Sequence, residues 1–331
     1  MRRKPATWST ALVLSAVLVM AACSSDDWDG GSETAATGGT SVTTGATGDP
    51  NTDKLAQIQA RGTLVAYYEP DYPPQSIAGD GTRPADTKCA PEQITAPEVT
   101  GFDPETTKLV AEGLGVEACF VSPTWTEATA GNWGDRWDIV YGSGSINEDR
   151  MERLWMTQPY YAVPNYYFVR EDSKFQTPSD LDGLKIGACA SCSHELYLNG
   201  ELVIPGIEIV QTVEGPEVVT FETEGPGLQA VADGKIDAFL AAGPVGQAQI
   251  DEGLPLRALD EIAFTYYPSG FVDKSSGLDP RAFVERVNEI IQTAQADGTL
   301  LDLSMEWFGE DYITAAAAFD MDATGQEVTA L

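Results

Sequence analysis

Arg150 closes the stretch Ser145-Ile146-Asn147-Glu148-Asp149-Arg150, with a second serine, Ser143, just upstream. A free carboxylate that enters a protein cleft loses its hydration. A bidentate guanidinium backed by hydroxyl and backbone donors is the side-chain set best able to replace it. Taken alone, an arginine beside an aspartate is ordinarily a surface ion pair of little energetic consequence. A second cluster is Cys189-Ala190-Ser191-Cys192-Ser193-His194-Glu195, which holds the chain's only histidine. A Cys-x-x-Cys with a nearby His reads as a redox pair, a soft-metal site or a structural staple. Redox chemistry wants thioredoxin-like surroundings, and a metal wants ligands beyond one His and two Cys, so the staple is preferred and no metal or other cofactor is expected.

The ends of the chain say where such chemistry takes place. Arg2, Arg3 and Lys4 precede an apolar run over residues 11–22 that leads to Cys23. The run is too short to span a bilayer, which takes about 20 apolar residues, and it reads as the core of an export signal over residues 1–22. The small residues before Cys23 resemble a bacterial lipobox, which makes Cys23 the lipidated residue of the mature protein. Residues 23–52 are rich in Ser, Thr, Gly and Ala and read as a flexible tether. The expected setting is the outer face of a cell membrane, reached through an N-terminal lipid.

Nineteen basic against 51 acidic residues give a net charge of −32. Losing the three basic residues of the signal gives 16 − 51 = −35 for the mature chain. Nucleic acid is excluded as a partner, because phosphate contacts need clustered Lys and Arg. Four cysteines remain after Cys23, an even number that favours disulfides in an oxidising compartment. Three pairings are open, and the preferred one is Cys89–Cys119 with Cys189–Cys192.

The elements that must position these residues alternate. Strand-like runs fall at residues 63–68, 116–121, 137–141, 185–189, 207–213 and 236–240, with helical stretches between several of them. Asp103 and Pro104 read as the cap and first turn of a helix that Gly115 ends. Asp279 and Pro280 open the clearest helix, with Phe283, Val284, Val287, Ile290, Ile291 and Ala294 on one stripe and Gly298 at its end. A second short helix carries Leu300, Leu303 and Trp307, and the acidic residues 319–331 read as an unstructured tail. Alternation of this kind argues α/β layers, and the body is long enough for two of them.

Several segments together resemble a known family. They are LAQIQARGTLVAYYEPDYPPQSI at 55–77, Gly101-Phe102-Asp103, WDIVYGSGSINEDR at 137–150, Gln158-Pro159-Tyr160-Tyr161, DLDGLKIG at 180–187, DGKIDA at 233–238 and ADGTLLDLSMEWFG at 296–309. In order and type they resemble the periplasmic solute-binding proteins of family 3, the polar amino-acid group. The resemblance implies a two-lobe fold of the type II periplasmic-binding-protein kind, with two hinge crossings and a ligand cleft between the lobes. Residues 53–164 and 271–318 would form lobe one, and residues 165–270 lobe two.

The resemblance also implies a site. Arg150 would clamp the α-carboxylate, with Ser145 and Ser143 as donors. Tyr72 and Trp125 would wall the ligand's side chain, Glu69 would meet a basic end, and Ser193 with His194 would face the cleft from lobe two. The chain departs from the family at Ala242, where an aspartate usually pairs the ligand's α-ammonium, leaving Glu195 or Glu69 to replace it. The function implied is capture of a small, polar, carboxylate-bearing solute by a monomer that hands it to an ABC permease. A sensor or accessory binding protein, or a dehydratase or lyase on the same fold, are the alternatives. An enzyme would need an acid–base pair such as Glu69 with Glu195, or His194 with either.

Overall fold

The computed structural model describes residues 48–329. The signal segment, Cys23 and most of the tether lie outside them. Among the described residues no helix is long and apolar enough to cross a membrane.

Helix α1 (Lys54–Arg61) is capped by the Asp53 side chain, which accepts from Ala56 N, and it stops at Gly62 with φ of 76°. It delivers the chain into β1 (Thr63–Tyr67), which is buried along its whole length. A strand covered on both faces reads as an unbroken apolar run, and that is why it was visible in the sequence. The buried Asp138 locks this corner, receiving Lys54 Nζ at 2.7 Å, the Arg61 guanidinium and Val65 N at 2.8 Å.

Strands β2 (Asp71–Tyr72), β3 (Ser76–Ala78), β4 (Ile94–Thr95) and β5 (Val99–Thr100) follow, then α2 (Phe102–Leu114) and β6 (Glu117–Val121). β1 pairs parallel with β6, and β4 closes that sheet antiparallel. Helix α2 starts two residues before the expected position. Its cap is Gly101 at φ of 114°, where a Cβ would meet the Gln75 carbonyl oxygen at 2.5 Å, so only glycine fits. Asp103 is thereby free of capping and turns inward. After α3 (Trp125–Ala130), the run over 137–141 makes single bridges, Ile139 to Ala66 and Val140 to Phe271, in place of a full strand.

Helix α4 (Glu148–Met151) precedes β7 (Leu154–Pro159), from which the chain passes through Tyr160, Tyr161 and Ala162 into β8 (Val163–Arg170). The second sheet adds β9 (Lys185–Cys189), β10 (Glu217–Phe221), β11 (Ala238–Ala242), β12 (Leu256–Ala258) and β13 (Phe264–Tyr266), with helices α5 (Ser193–Leu198), α6 (Glu224–Ala232) and α7 (Gly243–Asp251). Its order is β10-β9-β11-β8-β12, with β13 also on β8. The strand expected at 207–213 does not form. The Tyr197 hydroxyl holds that segment as a loop, donating to Val210 O at 2.8 Å and accepting from Thr212 N at 3.1 Å.

From β13 the chain returns through Tyr267 and Pro268 into β14 (Ser269–Asp273), which pairs with β7. The two crossings run side by side, joined by Tyr160 N to Pro268 O at 3.0 Å. The fold is the two-lobe arrangement with paired hinge strands. Helices α8 (Arg281–Ala296), α9 (Thr299–Trp307) and α10 (Ile313–Ala317) pack back on the first lobe, and all six stripe residues of α8 are buried.

The described residues after Phe319, 320–329, are held against the first lobe, contrary to the expectation of an unstructured tail. The Gln326 side chain accepts from Met156 N and donates to Met156 O, each at 3.0 Å, and so covers the free edge of β7.

Candidate ligand-binding site

One cleft between the two lobes is lined by all eight residues singled out in the sequence: Glu69, Tyr72, Trp125, Ser143, Ser145, Arg150, Ser193 and His194. Its empty volume, including the part open to solvent, is ≈ 560 Å³. The first lobe brings Glu69 from the end of β1, Tyr72 from β2, Trp125 from the start of α3, the loop 142–145, and Arg150 from α4. The second brings Ser193 and His194 from α5. The walls touch across the cleft, with Asn147 Nδ2 donating to Ser193 Oγ at 3.2 Å and Glu148 N to Val203 O at 3.1 Å.

Arg150 is 2% exposed. Its guanidinium donates to Ser145 O at 2.8 Å, to Ser191 O at 2.9 Å and to Ser193 Oγ at 3.4 Å. The cation lies 5.2 Å from the Trp125 ring and 5.4 Å from that of Phe271. Its polar partners are neutral oxygens, and among the described residues no carboxylate lies within ion-pair distance of it. Burial lowers its pKa to about 10, which still leaves it charged at neutrality.

The serines divide into two kinds. Ser143, held at φ of 58°, gives its hydroxyl proton to Asp103 Oδ2 at 2.7 Å and accepts from Tyr161 at 2.7 Å. Ser145 Oγ donates to Ile146 O and accepts from Tyr267 N, each at 3.0 Å. Both hydroxyls therefore brace the hinge strands. Ser193 Oγ accepts from Asn147 and Arg150, which leaves its own proton for the cleft. Burial raises the inward-turned Asp103 to about 7, against the pull of its bonds from Tyr160 and Ser143.

The loop after β9 carries a disulfide between Cys189 and Cys192, and Cys89 is bonded to Cys119. Sulfurs bonded to each other offer no thiolate. The grouping of Cys189, Cys192 and His194 within 4.8 Å is thus a staple beside a histidine, with no metal-ligand set. His194 Nε2 lies 2.7 Å from Asn165 Oδ1. The Asn165 amide group donates to Val163 O and Phe264 O, which fixes Oδ1 toward the ring and assigns the proton to Nε2. Nδ1 then faces the cleft as an acceptor. Burial, and next the Arg150 charge, push His194 down to about 3, so it is neutral.

Glu224 was not singled out in the sequence, where it reads as an ordinary acidic residue in the first turn of α6. It is 3% exposed, lines the cleft, and accepts from the Tyr72 hydroxyl at 3.3 Å across the lobes. Burial raises it to about 8, with the Tyr72 bond pulling the other way. At 3.6 Å from His194 Nδ1 it has the spacing of an ion pair, yet both groups are neutral near pH 7, so no ion pair forms. Of the acids offered to replace an aspartate at Ala242, Glu195 sits outside the cleft, accepting from Ser191 N at 2.7 Å. Glu69 stands in the cleft, half-buried, bonded by the Tyr67 hydroxyl at 2.6 Å and raised chiefly by burial.

Residues 64–310 match the family of bacterial extracellular solute-binding proteins, family 3. The chain belongs to that family. This solute-binding protein is similar to the L-cystine-binding protein TcyJ of Escherichia coli K12, 27% identical over 259 residues that span 78% of this chain and 86% of the relative. It is also similar to the ABC transporter arginine-binding protein 1 of Escherichia coli K12, 22% identical over 214 residues, covering 64% and 82% of the two chains. In three dimensions it is similar to an ancestral amino acid-binding protein, AncCDT-1, described as a precursor of cyclohexadienyl dehydratase. That match has a TM-score of 0.60 and 23% identity, and covers 77% of this chain and 99% of the other.

Proposed function

We propose that this solute-binding protein captures a small amino-acid-like carboxylate in its interlobe cleft and hands it to an ABC permease. It works as a monomer, held by a lipid on Cys23 to the outer face of the cell membrane. The observation that carries the ligand class is Arg150. A buried cation surrounded by neutral oxygens and ring faces, with no acidic partner in reach, carries an unmet electrostatic demand worth several kcal/mol, and a ligand carboxylate meets it. The relatives named for cystine and arginine support the same class. Binding without turnover is the reading adopted because the relatives are binding proteins and Glu195 is outside the cleft, which leaves His194 with Glu69 as the one named pair that lines it.

Calorimetry of the mature protein with L-cystine, L-arginine and L-histidine tests the ligand class. Arg150→Met should weaken the binder by roughly 100- to 1,000-fold, and unchanged affinity refutes the clamp. Product formation from a bound compound moves the protein to the enzyme class. Retention of detergent-phase partitioning by Cys23→Ala refutes the anchor.

A further inference from the structure

We infer that Glu224 receives the α-ammonium of an amino acid whose carboxylate sits on Arg150. This rests on the carboxylate reading above and adds the other half of the ligand. Glu224 Oε2 is buried without any hydrogen-bond partner, while Oε1 holds only the Tyr72 hydroxyl at 3.3 Å. A buried carboxyl oxygen that lacks a donor is costly, and such groups are almost always satisfied. The Tyr266 hydroxyl lines the same cleft but makes no hydrogen bond to Glu224. His194 has committed its proton to Asn165 and turns the Nδ1 lone pair toward Glu224 at 3.6 Å. Cys189 Sγ, 3.9 Å from Oε1, is tied in its disulfide and has no proton to give.

Once Glu224 gives up its own proton, its Oε2 and the His194 Nδ1 lone pair form a cluster of acceptors whose one bonded donor is the Tyr72 hydroxyl. An ammonium, with three donors and no acceptor, is the group that fits it. The two ends line one cleft: Arg150 contacts Ser193 Oγ, and the next residue, His194, lies beside Glu224. One small molecule can therefore offer a carboxylate to Arg150 and an ammonium to Glu224. Glu69 is a weaker candidate because it stands half-exposed toward the rim and already receives the Tyr67 hydroxyl.

Charge on Glu224 depends on little else. The titratable groups facing it are Tyr72, Tyr266 and His194, with Arg150 beyond and Glu69 and Glu222 toward the rim of the same cleft. Burial holds both tyrosines above their ordinary range and His194 at about 3, so none of these three changes charge between pH 6 and 9.

The test compares each amino acid with its deaminated counterpart: L-cystine with dithiodipropionate, L-arginine with guanidinovalerate, and L-histidine with imidazolepropionate. Wild type should prefer the amino acid by roughly 100-fold, and Glu224→Gln should bring that ratio close to one while leaving the deaminated acid's affinity within a few-fold. A preference that survives Glu224→Gln overturns the inference, as does a wild type without preference, and both leave the carboxylate reading standing. Failure of wild type to bind any of the six overturns both. Should Glu224→Gln bind neither member of a pair, proton release by wild type decides. The amino acid, and not the deaminated acid, should liberate close to one proton at pH 7 as Glu224 ionises, and equal release for the two overturns the inference.

Discussion

Glu224→Gln should stabilise the unliganded protein, and do so only above mildly acidic pH. The carboxyl titrates near 4.5 in the unfolded chain and at about 8 in the folded one, because burial disfavours the charged form. Below pH 4.5 it is protonated in both states, and replacing it with a neutral isostere changes nothing. Above that pH the unfolded state ionises first, and folding must take up a proton or bury a charge. The 2.5 pH units between 4.5 and 7 convert to about 3 kcal/mol lost at neutrality, and the loss approaches about 5 kcal/mol above pH 8. Glutamine escapes that loss, so the difference in Tm between variant and wild type should grow from near zero at pH 4 to roughly 5–10 °C at pH 7. Asp103, raised to about 7, makes both proteins less stable as pH rises through neutrality, and it cancels in the difference. Scanning calorimetry at pH 4, 5.5, 7 and 8 measures it. A difference that is flat with pH, or a variant less stable at pH 7, refutes the claim that Glu224 is held buried without enough partners. The same substitution should destabilise the complex with an amino acid.

Tyr72→Phe removes the one bond that holds the Glu224 pKa down, so that pKa rises. The affinity for an amino acid should then need a higher pH to develop, with the deaminated acid unaffected, and an unshifted pH profile in calorimetry counts against the pairing. Replacing Cys189 and Cys192 with serine opens a loop of three residues and should cost only about 1–2 kcal/mol in denaturant unfolding. It should nonetheless weaken carboxylate binding roughly tenfold, because that loop places Ser191 O and Ser193 against Arg150. Loss of Cys89–Cys119, which spans 30 residues, should show the reverse pattern, about 3–4 kcal/mol in stability with affinity unchanged. Asp138→Ala strands the buried Lys54 and should cost about 3–5 kcal/mol, read from the same unfolding curves.

What the sequence made legible follows burial on two faces and capping chemistry. β1, β9 and the stripe on α8 were visible because their residues are uniformly apolar or helically spaced, and each is buried as that pattern requires. β10 was not, since its alternating exposure dilutes the apolar signal, and the run at 207–213 misled because its apolar residues follow a tyrosine hydroxyl and not a ladder. Asp103 shows the limit of local rules. It carries the sequence of a cap, but Tyr160 and Ser143 claim the carboxylate from 40 or more residues away.

The site divides in the same way. Arg150 was legible through the segment around it. Glu224 was not, because an acid in the first turn of a helix is ordinary in sequence, and only packing against Tyr72 and His194 from other elements makes it unusual. Ser143 and Ser145 line the cleft, but their hydroxyls serve the hinge, which a linear motif does not show.

Arg150 and Glu224 together give the cleft a charge that depends on pH, and that dependence sets what it selects. With Glu224 protonated, the inner end of the site presents the buried charge of Arg150, and a simple carboxylate pairs with it without any proton moving. With Glu224 ionised, a carboxylate alone leaves the buried acid unpaired, whereas a zwitterion neutralises both groups at once. The preference for an amino acid over its deaminated analogue should therefore widen as pH rises from 6 toward 8 and narrow as it falls, by up to about tenfold per pH unit while a single proton is linked to binding. An ammonium paired instead with the part-exposed Glu69 would give a profile softened by solvent and tied to that carboxyl's own titration. The pH at which selectivity appears thus reports which carboxylate holds the ligand.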